Sequence, residues 1–349
     1  MRELRERLRM NYLTSQPEEE VVEVARGGVE CQVVRQSCHL TRDKVITWKV
    51  FTCKADNKIV VCGLLNGTAN VYDTQTKCLL TVLDCQSSGG SMRLALSQDV
   101  IVAASSHGVI SVWSRTDYGL TFRDDTIHQA NITGVQVIGT VIMTGDSDGL
   151  VVLWTDIAGG AIHRTIFADE KKPVTDLDFQ QNILLVGSRS CLRVGSVSSK
   201  GDYKSLRVIK TDYVLDCKLS PPLAFTSGGK YREGIQVWDL QTGGLVRTLC
   251  SHLAFLSLEI SNNLSCSVIT SAQLTFPHIH VMDLDRVGRG GRLMMRTFPC
   301  LQSVLLSPSV CRSDTKIFQA HGTELKMLEF WYYQVSDWDI DTYLDGIKL

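Results

Sequence analysis

The chain has 349 residues, 44% hydrophobic and 21% charged, which is enough apolar side chain to bury a sizeable core. A formal net charge of −1 gives no basic excess to attract a nucleic-acid backbone, so nucleic acid is not an expected partner. No apolar run approaches the roughly 18 residues of a membrane span, and the charged start MRELRERLRM lacks the apolar stretch of a secretory signal.

Residues 1–20 read as a charged extension. RELRERLR carries helix formers of both signs, and SQPEEE then breaks the pattern. The main domain is expected over 21–335. ECQVVRQS, residues 30–37, alternates like a strand and precedes the first complete repeat; WYYQV, residues 331–335, is its rival for closing the fold. Residues 336–349, SDWDIDTYLDGIKL, form an acidic and aromatic tail.

Between these ends lies a repeat. KIVVCGLLNGTANVYD ends at Asp73, VIVAASSHGVISVWS at Ser114 and TVIMTGDSDGLVVLWT at Thr155. NILLVGSRSCLRVGSV ends at Val197, LAFTSGGKYREGIQVWD at Asp239, CSVITSAQLTFPHIHVMD at Asp283 and KIFQAHGTELKMLEF at Phe330. The ends fall 41 to 47 residues apart. Each segment reads as strand, turn, strand. Two more strand-like pieces, such as KCLLTVLD and MRLALS, lie between segments. A period in the low forties with four short strands per repeat predicts an all-β fold, a seven-bladed β-propeller with short N-terminal and C-terminal extensions.

The chain has 12 cysteines and no C-x-x-C pair, so their spacing gives no zinc site. Several alternate with valine and isoleucine, as in KIVVCG, and read as buried thiols of a reduced compartment. Cytoplasmic residence, or nuclear, is expected on that basis. His278 and His280 share one strand face without a third ligand nearby, and no metal is expected. No phosphate-cradling glycine loop, dinucleotide fingerprint or G-x-S-x-G elbow is present, so the expectation is a chain that is not an enzyme and takes no cofactor.

The segments resemble the WD-repeat family over roughly residues 30 to 330. The family braces a blade with a histidine before the first strand, a serine or threonine, an aspartate in the tight turn and a tryptophan. The third repeat offers His128, Thr144, Asp148 and Trp154, and the resemblance implies that they form such a structural brace. Trp113 and Trp238 hold the tryptophan position in other repeats, Tyr72 and Met282 replace it in two more, and the fourth repeat has none. The run TKCLLTVLDC and the short leader look like F-box/WD-repeat adaptors, although the leader is too short for the helical F-box module itself.

The loops at the propeller rims are where partners are expected. Thr144 to Trp154 and Cys62 to Tyr72 both span ten positions, whereas Ser227 to Trp238 spans eleven and Thr270 to Met282 twelve. The two longer turns carry Lys230, Tyr231, Arg232, Phe276 and His278; Arg189 and His107 occupy equivalent turns. These are residue types that dominate interface energetics. A second candidate patch, on the opposite rim, is DRVGRGGRLMMR with Arg286, Arg289, Arg292 and Arg296, whose guanidinium groups suit a phosphorylated or acidic peptide. The function expected is non-catalytic protein binding: substrate recognition for an F-box/cullin-type ubiquitin ligase, or a scaffold in another trafficking, cytoskeletal or RNA-processing complex.

Overall fold

The computed structural model describes residues 20–26, 29–35, 50–76, 78–85, 92–159, 161–168, 172–198, 202–211, 213–228, 234–249, 255–260, 268–273, 278–283, 295–299, 309–312, 316–321 and 324–334. These residues are organised as small antiparallel sheets of consecutive strands. The first sheet comprises Val50–Ala55, Ile59–Leu64, Thr68–Asp73 and Leu79–Asp84. The second comprises Met92–Leu96, Val100–Ser105, Ile110–Ser114 and Leu120–Asp124. The third comprises Ile132–Ile138, Val141–Asp146, Leu150–Thr155 and Ile162–Ala168. Val174–Gln180, Ile183–Ser188, Cys191–Val197 and Tyr203–Lys210 make the fourth. Val214–Ser220, Leu223–Gly228, Ile235–Asp239 and Leu245–Leu249 make the fifth.

Burial changes across each sheet. Every residue of Ile59–Leu64 and of Val100–Ser105 is buried, because both faces of these second strands are covered. Their sequences are correspondingly near-continuous apolar runs, IVVCGL and VIVAAS. The fourth strands stand at the outside. Tyr203–Lys210 exposes Lys204, Arg207 and Lys210 along its length, charges that deter pairing with another edge.

Apolar layers lie between neighbouring sheets rather than inside any one of them. Val102 and Val112 of the second sheet pack with Ile132, Ile142 and Trp154 of the third. Met143 and Leu153 of the third pack with Leu177 and Leu184 of the fourth, and Leu185 and Val194 of the fourth with Cys217 and Leu219 of the fifth. Close approach depends on a glycine that recurs in the second strand. A Cβ at Gly63 would lie 2.9 Å from Met92 Sδ, at Gly145 2.8 Å from Val174 Cγ1, and at Gly187 2.7 Å from Val214 Cγ1. Each of these glycines therefore admits the first strand of the following sheet.

Beyond Leu249, the strands Phe255–Ile260, Val268–Gln273, His278–Asp283 and Met295–Pro299 pair in the same order. The chain ends meet in one sheet. Ser309–Arg312, Lys316–His321 and Glu324–Gln334 are followed by Val29–Arg35 and then Glu20–Arg26. The register runs from Val29 opposite Gln334 to Val34 opposite Glu329. The N-terminal strand and the WYYQ stretch, set against each other as rivals in sequence, are thus neighbours in one ladder. The leader before residue 20 and the tail after residue 334 lie outside the described residues.

Candidate functional site

A buried polar constellation lies inside the third sheet. His128 precedes the first strand of that sheet. Its Nδ1 is 2.7 Å from Asp146 Oδ2 and its Nε2 is 2.7 Å from Thr144 Oγ1. Trp154 Nε1 donates to the same Thr144 oxygen at 2.8 Å. A neutral imidazole protonated at Nδ1 satisfies every member: indole to hydroxyl, hydroxyl to Nε2, Nδ1–H to carboxylate. Hydroxyl, imidazole and carboxylate in this order also make the geometry of a nucleophilic triad. Burial decides against that use, because Thr144 is 0% exposed and His128 and Asp146 are each 1% exposed. No substrate atom can reach the hydroxyl, and the constellation ties the strands of one sheet together.

One expected member is corrected. Asp148, the aspartate assigned to the brace from sequence, is exposed, and Asp146 faces His128 instead. The turn explains the difference. Asp146 Oδ1 accepts the backbone N–H groups of Asp148 at 3.0 Å and Leu150 at 2.9 Å, leaving Oδ2 for the imidazole. Asp148 takes part through its backbone alone. Ser105 plays the turn-capping role in the second sheet, accepting from the N–H groups of His107 and Val109.

The other sheets solve the same problem differently. In the fifth, Trp238 Nε1 donates to Thr226 Oγ1 at 3.0 Å. Thr226, not the adjacent Ser227, therefore holds the hydroxyl position. The registers agree, since Trp154 lies opposite Ile142 and Trp238 opposite Ala224, each two residues before the threonine. In the first sheet the hydroxyl position is Cys62, and Tyr72 accepts a hydrogen bond from Asn70 Nδ2 at 2.9 Å. Trp113 has Ala103 at the matching register and contributes apolar packing. In the fourth sheet Gly195 stands opposite Leu184, and Tyr203 from the fourth strand lies over it, with Cε2 2.1 Å from where a Cβ would be. The missing tryptophan is replaced from the neighbouring strand.

A second constellation follows the first strands, and sequence reasoning missed it. Register places Lys54, Ala95, Gln136, Asp178 and Lys218 at equivalent points of five successive sheets. All five line one cavity of about 220 Å³, together with Leu96, Gln180 and Leu219. Their side chains stitch one sheet to the next. Asp176 Oδ2 accepts the Cys217 N–H at 3.1 Å, and Asp178 Oδ2 accepts the Leu219 N–H at 2.7 Å. Asp216 Oδ2 accepts the Leu258 N–H at 2.8 Å, and Gln180 Nε2 donates to Leu219 C=O at 3.1 Å. A first strand is a sheet edge, and these side chains satisfy the backbone groups that its own sheet leaves unpaired. Lys218 Nζ sits 3.1 Å from Asp176 Oδ2 and 2.9 Å from Asp216 Oδ1. Burial raises the Asp176 carboxyl to about 7; Lys218 opposes the shift and Asp216 adds to it. Burial acts on Asp216 in the same direction, but Lys218, the Asp176 carboxyl and the Leu258 N–H outweigh it and hold Asp216 below its ordinary value. The signal lay in the first strands VTDLDFQ and VLDCKLS, where charges alternate one repeat apart.

Of the expected partner-binding residues, His107 and Arg189 lie exposed in the turns between second and third strands of the second and fourth sheets. His278 opens the strand His278–Asp283, opposite Pro299, and Arg296 lies in Met295–Pro299, opposite Val281. Arg296 is therefore a strand position rather than the loop position expected from sequence, and His278 stands where the long turn gives way to the strand face it shares with His280. Lys230, Tyr231, Arg232, Phe276, Arg286, Arg289 and Arg292 lie outside the described residues. Among the described residues no group of three His, Cys, Asp or Glu side chains could hold a metal ion, and no helix is long and apolar enough to cross a membrane.

No family model matches the chain, and no curated protein matches it by sequence. Solved structures do resemble it. The crystal structure of the computationally designed Ika8 protein superposes with a TM-score of 0.62 at 18% identity, over 90% of this chain and 98% of that one. The C-terminal WD40 domain of Sif2 gives 0.59 at 15% identity, over 82% of this chain and 97% of that one. With consecutive four-stranded antiparallel sheets and the brace geometry above, these likenesses show that the chain has the fold of a WD-repeat propeller.

Proposed function

We propose that this chain is a non-catalytic protein-interaction propeller of seven blades. The observation that carries the functional reading is a contrast. The one hydroxyl, imidazole and carboxylate relay among the described residues is sealed in a sheet interior, while His107 and Arg189 are held out on turns of a rigid scaffold. Support for the blade number comes from the first strands. They neighbour one another in chain order, and Ser309–Arg312 of the closing sheet lies against Val50–Ala55 of the first.

The partner surface of this reading is the turn side that carries His107 and Arg189, to which the repeat spacing also assigns Lys230, Tyr231, Arg232 and Phe276; the arginine and glycine run from Arg286 to Arg292 is the alternative. Its ligand is a protein segment, phosphorylated or acidic, met in the cytoplasm or nucleus. Within that reading the chain recognises substrates for a cullin-type ubiquitin ligase. Affinity purification with mass spectrometry tests this: recovery of cullin-ligase components supports it, and recovery of another assembly instead makes the chain a scaffold there. Changing Tyr231, Arg232 and Phe276 together to alanine is expected to weaken the recovered partner at least about tenfold, or roughly 1.4 kcal/mol. Unchanged affinity in a folded variant removes that turn side from the proposal.

A further inference from the structure

Cys53 and Cys62 lie directly opposite each other on the first two strands of the first sheet. They are the only register-paired cysteines among the described strands. The hairpin between them fixes what kind of pair they make. Asp56 N–H bonds Ile59 C=O across the turn at 3.0 Å, so Asp56 and Ile59 are a hydrogen-bonded pair. Pairs alternate outward from there. Lys54 and Val61 are hydrogen-bonded, and Cys53 and Cys62 are not. Non-hydrogen-bonded pairs hold their Cα atoms about 4.5 Å apart with side chains close together. That distance falls within the range a disulfide spans. The two residues are 1% and 0% exposed.

We propose that Cys53 and Cys62 are a redox-modification site that closes to a cross-strand disulfide when the protein meets a small peroxide. In the first step one thiolate attacks a peroxide oxygen. The O–O bond breaks, hydroxide leaves and takes up a proton, and the attacking cysteine becomes a sulfenic acid. In the second step the opposite sulfur attacks the sulfenic sulfur, the S–O bond breaks and water leaves. Two S–H groups and one hydrogen peroxide give one S–S bond and two waters. The reaction needs no large reagent in the core, since hydrogen peroxide is hardly bigger than water. Burial pushes the Cys62 thiol well above its ordinary value, and Cys53 adds to the effect. Because the thiolate is the nucleophile, closure is slow near neutrality and accelerates with pH. The disulfide would lock the first two strands of the sheet that adjoins the closing sheet.

The test is peptide mapping of the full chain after hydrogen peroxide treatment under native conditions, with remaining thiols alkylated in denaturant. Trypsin cuts at Lys54 and Lys58, so Cys53 and Cys62 leave on separate peptides, VFTCK and IVVCGLLNGTANVYDTQTK. The expected result is these two peptides joined with the loss of two hydrogens, separated again by dithiothreitol, and formed faster as pH rises. Cys78, which is exposed, supplies the internal reference. If both thiols are still alkylated long after Cys78 is fully oxidised, or if the linked peptide forms only in urea, the proposal is overturned. Cys62→Ser must abolish the link, and an undiminished link in that variant would overturn the assignment to Cys62; Cys53→Val provides the same check where the serine variant does not fold.

Discussion

Asp178 Oδ2 accepts the backbone N–H of Leu219 at 2.7 Å, across forty-one positions of sequence. That separation is one repeat, so the bond joins equivalent strands of neighbouring sheets. The other oxygen is engaged as well, accepting from Gln136 Nε2 of the preceding sheet and from the Phe179 N–H. One buried carboxylate thus links three consecutive sheets through their innermost strands.

Asp178→Asn should therefore destabilise the fold although its shape is nearly unchanged. An amide offers one accepting oxygen where the carboxylate offers two, so at least one buried donor loses its partner. The cost of such a loss is about 1 to 3 kcal/mol. Urea denaturation is the measurement, with a lowered midpoint at unchanged slope as the expected outcome. A variant as stable as the parent would mean that these donors are solvated by other means.

The third-sheet brace gives a sharper contrast. Asp146→Ala removes the acceptor for His128 and for two backbone N–H groups, whereas Asp148→Ala removes an exposed side chain. The first should cost about 1 to 3 kcal/mol, and the second should stay within about 0.5 kcal/mol. Trp154→Ala, at 1% exposure, should cost roughly 3 to 5 kcal/mol. Trp154→Phe keeps most of the ring and loses mainly the bond to Thr144, so about 1 kcal/mol separates it from the parent on that account. Thermal unfolding of the four variants gives the order directly, and equal losses at 146 and 148 would contradict the geometry.

What the sequence disclosed, and where it stopped, follows from the same residues. The strand, turn, strand units were legible because second and third strands are buried on both faces and read as apolar runs such as IVVCGL and LVVLWT. The turn GDSDG offers two aspartates, Asp146 and Asp148, and spacing alone does not say which one caps it. Thr226 and Ser227 likewise stand side by side as two hydroxyls, and only the register against Trp238 shows which one the indole meets. The charges of VTDLDFQ and VLDCKLS are not legible as a buried network, because alternating charge on an isolated strand looks like a solvated face. Their role appears only when strands a full repeat apart are brought side by side.

Asp176 and Asp216 should make stability depend on pH in opposite ways. The Asp176 carboxyl is raised to about 7 from an ordinary 3.8, so the native state holds a proton that the unfolded chain releases. Stability from this group falls as pH rises from about 4 to about 7 and is flat above. Asp216 is held below its ordinary value, so its contribution is present above about pH 4 and is lost as pH falls through its native value. Asp176→Asn should therefore gain on the parent steadily between pH 4 and 7, while Asp216→Asn should lag the parent by a constant margin on its own account over that range and close the gap only as pH falls below about 4. Urea titrations from pH 7 to well below pH 4 measure both. Parallel profiles for parent and Asp176→Asn would show that Asp176 is ionised in the native state throughout.

The seam between the chain ends is the last relationship open to a direct test. Val29–Arg35 pairs with Glu324–Gln334 on one side and with Glu20–Arg26 on the other, so it is an interior strand of its sheet. Removing residues 1–19 touches neither ladder and should leave thermal unfolding as in the parent. Removing residues 1–28 takes away only the outermost strand, which pairs on one edge alone, and should lower the transition while the molecule stays monomeric. Removing residues 1–40 strips both strands and bares the backbone of 329–334 as an unpaired edge, the kind of surface that recruits another chain. That truncation should be recovered as aggregate or oligomer in size-exclusion chromatography. A monomeric, cooperatively folded protein lacking residues 1–40 would show that Glu324–Gln334 can stand as an edge strand and that the seam does not hold the sheets together.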